Sequence, residues 1–247
     1  MELGLKNKVV LVTGSSSGIG KSIAEAFQKE GSDVIINSRH KSKLENISKK
    51  MKNCDYVIGD MANKKDCKEI SEYIKKKYGK LDVLVCNVGS GSLPKNSTNE
   101  YQVMFEKNFF ASTNIIFSTQ ELLEKSKGNI ICISSIAGIE KTQAPLSYGT
   151  AKAALNFFVK GISKEFGKKK IRINAVAPGN IIFQGSVWEK RMSTNPTQVK
   201  KMLKNEVSLN RLGKPEEIAN VVLFLASPLA SFMTGSIIVS DGGQIKS

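Results

Sequence analysis

The chain is predicted to fold as an α/β protein, a doubly wound parallel sheet of seven strands with helices on both faces. Three observations carry this. Short β-branched runs alternate with longer amphipathic stretches, those stretches are long enough to cross over a sheet, and 247 residues suffice for one large core without a second domain. The strands are expected at residues 9–13, 34–37, 55–59, 81–86, 129–133, 171–176 and 236–240, each a run rich in Val, Ile or Leu. Segments 21–30, 64–78 and 148–166 repeat apolar residues at helical spacing and supply crossovers. The stretch 180–196 follows Pro178-Gly179 and mixes Ile181, Ile182, Phe183, Val187 and Trp188 with polar residues. It reads as a substrate flap reaching to residue 210, with a partly buried amphipathic helix as the alternative. No repeat or linker divides residues 1–247, so one domain is expected.

Composition narrows the function classes. The net charge is +15, but the positive charge is mostly lysine spread along the chain; Arg39, Arg172, Arg191 and Arg211 are unclustered, and no aromatic residues interleave with the lysines. A solvated surface is expected rather than a nucleic-acid platform. No apolar run is long enough to span a bilayer, and the first residues lead straight into a strand, so a cytoplasmic protein without membrane contact is expected. Cys54, Cys67, Cys86 and Cys132 lack CxxC spacing and His40 is the only histidine. A disulfide framework, a metal site and a Ser-His-Asp triad are therefore not expected.

In such a sheet, ligands sit beyond the carboxyl ends of the strands. After the first strand comes Thr13-Gly14-Ser15-Ser16-Ser17-Gly18-Ile19-Gly20, where backbone can approach a pyrophosphate whose charge a helix N-terminus favours. Glycine-rich turns also serve tight strand-to-helix geometry alone. After the second strand stand Asn37-Ser38-Arg39-His40, with no acid to bond a ribose 2′-hydroxyl; Arg39 with Ser38 suits a 2′-phosphate, so NADP(H) is preferred and NAD(H) remains possible. The other reading makes Arg39 a solvated helix-start residue. Asp60 and Asn87, after the third and fourth strands, fit adenine and ribose contacts, or equally turn and cap positions.

Ser134-Ser135 ends the strand at 129–133, and thirteen residues beyond Ser135 comes Tyr148, with Lys152 at i+4 on the same helix face. An unassisted tyrosine, pKa about 10, is a poor base at neutral pH. A lysine charge ~4 Å away at an effective dielectric of about 20 contributes roughly 4 kcal/mol, enough to lower the phenol by about three units. Ser135 then bonds the substrate oxygen, Tyr148 exchanges the proton and a nicotinamide exchanges the hydride.

With these pieces in order, the chain resembles the short-chain dehydrogenase/reductase family over essentially its full length. The resemblance rests on Thr13 to Gly20, Asp60, Asn87-Val88-Gly89 where the family usually reads Asn-Ala-Gly, Asn108, Ser135, Tyr148, Lys152 and Pro178-Gly179. The segment from Arg211 to Ile218 and the closing Asp241-Gly242-Gly243 also match. It implies a Rossmann-like fold, a catalytic set Asn108, Ser135, Tyr148 and Lys152, and transfer of the pro-S hydride. Asn108 would support a water relaying protons from Lys152, which also bonds the nicotinamide ribose. Cofactor contacts are expected from Gly14, Ser16, Ser17, Gly18, Ile19, Gly20, Ser38, Arg39, Asp60, Met61, Asn87, Gly89, Pro178, Gly179 and Ile181, with Tyr148 and Lys152. A homotetramer built through two central helices and the last strand is implied as well. Phe183 stands where the family often has a threonine for the carboxamide, and Ser17 where many NADP-preferring members have a basic residue.

The enzyme expected is thus an NADP(H)-dependent oxidoreductase of a ketone or secondary alcohol. A 3-oxoacyl thioester on an acidic carrier protein is one candidate substrate, and a sugar or nucleotide-sugar is the alternative. A non-catalytic NADP(H)-sensing protein is the contrasting class, and an intact catalytic set argues against it.

Overall fold

The computed structural model describes residues 2–92 and 99–246. Strand β1 (Val9–Val12) leads through the glycine-rich turn into α1 (Gly18–Lys29), β2 (Asp33–Ser38) into α2 (Lys41–Ser48), and β3 (Cys54–Ile58) into α3 (Lys64–Tyr78). After β4 (Val83–Cys86) come α4 (Glu100–Phe105), a single π turn (Glu106–Phe110) and α5 (Ala111–Ser126). Strand β5 (Asn129–Ile133) runs through a 3-10 turn (Ile136–Gly138) into α6 (Leu146–Lys168). Then follow β6 (Arg172–Pro178), α7 (Val187–Thr194), α8 (Pro196–Glu206), α9 (Pro215–Ala226) and β7 (Ile237–Ser240).

The seven strands form one parallel sheet in the order β3-β2-β1-β4-β5-β6-β7. The chain reverses direction of travel across the sheet between β1 and β4, which opens a crevice at their carboxyl ends. Period-two alternation decides which face each residue serves. Val9 and Leu11 face the core shared with α3, α5 and α6, where Ile74, Ile115 and Leu155 are buried, while Val10 and Val12 face α1 and α9 beside Phe27 and Ile218. Both faces of β1 are therefore dry, as its unbroken apolar run requires.

Expected strand ends shift by one or two residues. Two-residue shifts occur at β6, which runs on to Pro178, and at β4, which starts at Val83 because Asp82 turns its carboxylate to accept from Val9 N at 3.0 Å. The stretch from 180 to 210 is more regular than its composition suggests: two helices form in it, as the helical alternative had it. Ser186 caps α7 by accepting from Glu189 N, and Asn195 caps α8 by accepting from Gln198 N ahead of Pro196 at the first helical position. Their apolar faces close over a separate small cluster of Val199, Met202, Leu203, Val207 and Leu212, against which Trp188 packs.

Candidate active site

The glycine-rich turn is shaped by what cannot fit in it. Gly14 and Gly18 take left-handed φ of 63° and 55°. A Cβ on Gly20 would lie 2.3 Å from Asn87 Nδ2, and one on Gly18 would lie 2.6 Å from the ring of Phe183. Asn87 fastens this turn to β4 by donating to Thr13 O (3.1 Å) and Gly14 O (3.0 Å), while Thr13 Oγ1 accepts from Asn87 N. Asn37 fastens it to two more strands: its Oδ1 accepts from Gly14 N, and its Nδ2 donates to Val57 O and Gly59 O. Sequence reading missed Asn37 as an organiser. Its signal was a polar residue at the end of a buried strand.

Around this turn opens a cleft of about 840 Å³. Of the expected cofactor contacts, Gly14, Ser16, Ser17, Ile19, Gly20, Ser38, Arg39, Asp60, Met61, Asn87, Gly89, Tyr148, Lys152, Pro178, Gly179 and Ile181 line it. Gly18 does not; it lies under the Phe183 ring. The residues present fit a dinucleotide. No acidic side chain occupies the first turn of α1, whose Ile19 and Gly20 line the cleft, and the buried Ser134, another lining residue, has an Oγ without a hydrogen-bond partner. At the far end Arg39 Nη1 sits 3.4 Å from Asp60 Oδ2, both groups in solvent. Such an exposed pair is worth about 0–1 kcal/mol, so the guanidinium is readily transferred to a phosphate.

Ser135, Tyr148 and Lys152 meet at the inner end of this cleft. Gly138 lets the 3-10 turn after β5 settle on α6; a Cβ there would come within 2.8 Å of Lys152 Cβ and 2.7 Å of its carbonyl carbon. Ser135 Oγ accepts from Ala137 N at 3.2 Å and stands beside the Tyr148 phenol. Lys152 is 3 % exposed, donates from Nζ to Ile133 O at 2.8 Å, and lies 5.9 Å from the centroid of the Tyr148 ring.

The electrostatics differ from the sequence expectation. Burial pushes the phenol above its ordinary value, only partly offset by the Ser135 hydroxyl, and pushes Lys152 down to about 8 despite Cys132 and Cys86 nearby. Both groups are buried and the lysine is engaged by a backbone carbonyl, so desolvation is the largest influence on each.

Asn108 does not line the cleft but stands behind it, fully buried on the π turn. Its Oδ1 accepts from Ser90 N, and its Nδ2 donates to Ser90 O and Met104 O. A Cβ on Gly89 would lie 2.7 Å from Asn108 Oδ1 and 3.0 Å from Lys152 Nζ, so Gly89 is the thin partition between the two. A π turn often marks a site where a side chain is re-aimed for function.

A second, larger cleft of about 1400 Å³ joins the first where Ser135, Tyr148, Gly179 and Trp188 border both. Its walls come from the 140–145 loop, from α7 and α8, and from the tail at Gln244, Ile245 and Lys246. Sequence reading missed the tail. It is folded inward by Asp241, whose carboxylate accepts from the amides of Gly243, Gln244 and Ile245, with Gly242 and Gly243 at φ of 69° and 76°. Among the described residues no helix is long and apolar enough to cross a membrane, and no three His, Cys, Asp or Glu side chains gather as a metal would need.

A family model described as enoyl-(acyl carrier protein) reductase matches residues 14–244. The 3-oxoacyl-[acyl-carrier-protein] reductase FabG of Thermotoga maritima is 32% identical over 249 residues, covering 98% of this chain and 99% of that protein. The 7alpha-hydroxysteroid dehydrogenase of Bacteroides fragilis is 32% identical over 250 residues, covering 96% and 94%. Among solved structures, L-sorbose reductase from Gluconobacter frateurii, complexed with NADPH and L-sorbose, superposes with a TM-score of 0.93 at 28% identity, with both chains covered completely.

Proposed function

Because this chain belongs to the short-chain dehydrogenase/reductase family, whose members oxidise alcohols and reduce carbonyls, we propose that it transfers a hydride between NADP(H) and a ketone or secondary alcohol. The observation that carries this is the meeting of two clefts at Ser135 and Tyr148, with Lys152 lining the first; one is fitted to a dinucleotide and the other is open for a substrate. The nicotinamide supplies the hydride. In reduction, the Ser135 hydroxyl orients the carbonyl oxygen and Tyr148 Oη gives it a proton, a role that a phenol held protonated by burial suits. Lys152, held in place through Ile133 O, is assigned to the nicotinamide ribose, and Asn108 fixes the segment at Ser90, which lines the same cleft. Helices α7 and α8 act as the flap over the substrate.

The preference for NADP(H) is supported by Arg39 and Ser38 at the cleft end, where Asn37 and Ser38, not an acid, end β2. A 3-oxoacyl thioester on a carrier protein is supported by the FabG relatives and the basic chain, and a sugar ketone by the likeness to L-sorbose reductase. Cytoplasmic residence, where the dinucleotide is supplied, goes with this reading. A homotetramer is supported by two exposed apolar faces, one with Phe117 on α5 and Phe157 on α6, the other with Phe224 on α9, Phe232 and Val239 on the edge strand β7.

Fluorescence titration with NADPH and NADH, on wild type and Arg39→Ala, followed by a panel of thioester, sugar and steroid ketones, tests the reading. Expected are tighter binding of NADPH, lost at least about tenfold in the variant, as a charge-assisted phosphate contact would give, and turnover of one panel class. Equal or tighter NADH binding overturns the cofactor preference. Binding without turnover of any ketone turns the chain into a dinucleotide sensor.

A further inference from the structure

The proposed carbonyl chemistry leaves the second cleft largely unexplained, because about 1400 Å³ far exceeds what a reacting ketone alone fills. Trp188 borders both clefts, as Ser135 and Tyr148 do. One helical turn further along α7, Arg191 borders only the substrate cleft, with its guanidinium carbon 4.8 Å from the Trp188 ring centroid. Among the described residues no carboxylate forms an ion pair with Arg191 or with Lys204, which shares the same wall, whereas the wall's two acids, Glu140 and Glu206, are engaged in hydrogen bonds to the rest of the chain.

A guanidinium laid on an indole is held in a fixed orientation by its own cation–π contact, is weakly hydrated, and presents a planar fork that matches phosphate or carboxylate. Because Arg191 borders only the second cleft, an anion held by that fork is remote from the cofactor cleft. We propose that the substrate is a ketone bearing an anionic group, a phosphate or carboxylate, on the limb remote from the cofactor, gripped by Arg191 on Trp188 with Lys204 beside it. The assignment rests on the carbonyl reading of the site. It joins the two candidate substrate classes, since a phosphopantetheine thioester and a sugar phosphate both carry such a group, and the net charge of +15 steers either toward the chain.

The test is steady-state kinetics with matched ketone pairs: a 3-oxoacyl N-acetylcysteamine thioester against the same acyl group on coenzyme A, and a keto-sugar against its phosphate. The anionic member of one pair is expected to show a kcat/KM at least about tenfold higher, the factor a charge-assisted contact supplies, and the pair that shows it names the source. Arg191→Ala should abolish that preference, mainly through KM, and Arg191→Lys should restore part of it. Lys68→Ala, which removes one charge from the exposed side of α3, should leave it intact. Equal kcat/KM within both pairs, or a preference that survives Arg191→Ala, overturns the anion assignment alone. A wild type that binds no dinucleotide or turns over no ketone overturns the carbonyl reading, and this inference falls with it.

Discussion

Lys152 is a cation held where its charge is disfavoured, so its protonation is tied to stability. With a folded value of about 8 against 10.5, the unfolded chain holds more protons between those values, and stability rises as pH climbs through that window. Below pH 8 the penalty is fully present, about 3 kcal/mol from a shift of this size. Lys152→Met removes it and forfeits one buried hydrogen bond to Ile133 O, so the variant should be about 1–3 kcal/mol more stable at pH 7, with a melting point several degrees higher and turnover strongly reduced but measurable. Denaturant melts at pH 7 and 9.5 check this: the advantage should shrink by about 2 kcal/mol at the higher pH. Tyr148 behaves oppositely, since burial holds its proton. Ketone reduction should persist through neutral pH while alcohol oxidation is lost on the acid side, and Lys152→Met should move that oxidative limb further up. A limb that stays put removes Lys152 as a group acting on the phenol. Gly18 is the other sensitive residue: Gly18→Ala adds a Cβ 2.6 Å from the Phe183 ring at a φ of 55°, and should weaken NADPH binding at least about tenfold by titration, the equivalent of ~1.4 kcal/mol.

The elements were largely legible in the sequence because the sheet is buried on both faces. Such strands read as plain apolar runs, and β5 matches its expected bounds while α3 matches its own. The side chains proposed for catalysis were legible because each follows a strand or repeats at helical spacing: Ser135 after β5, then Tyr148 and Lys152 on α6. What escaped depends on distant parts of the chain. That Asn37 fastens a turn near residue 14 to β3, or that Asp241 folds the tail into the wall of the second cleft, follows from no local pattern. The burial that governs Lys152 and the phenol likewise emerges only from packing. The caps at Ser186 and Asn195-Pro196 were present in the sequence, and the polar composition around them hid the helices they start. These helices rest on a cluster of their own, so they should open separately from the sheet. Leu203→Ala, costing about 2–3 kcal/mol at a buried position, should raise amide exchange across α7 and α8 while β1, β4 and β5 keep their protection. Uniform loss of protection would show that the cluster is not independent.

The whole molecule presents two unlike surfaces, a lysine-rich one and the two apolar faces. Phe157, 80 % exposed on α6, has no reason to remain in water if a second copy covers it. Phe157→Glu should convert a larger assembly to a smaller one in sedimentation velocity while leaving the far-ultraviolet circular dichroism intact. Sedimentation of the wild type as a monomer would remove the tetramer. The buried lysine at the centre of this molecule also bears on how the protein is improved in the laboratory. A library selected on melting temperature alone would reward any apolar residue at position 152 and enrich inactive clones at the top of its ranking, so heat tolerance and turnover have to be scored on the same clones.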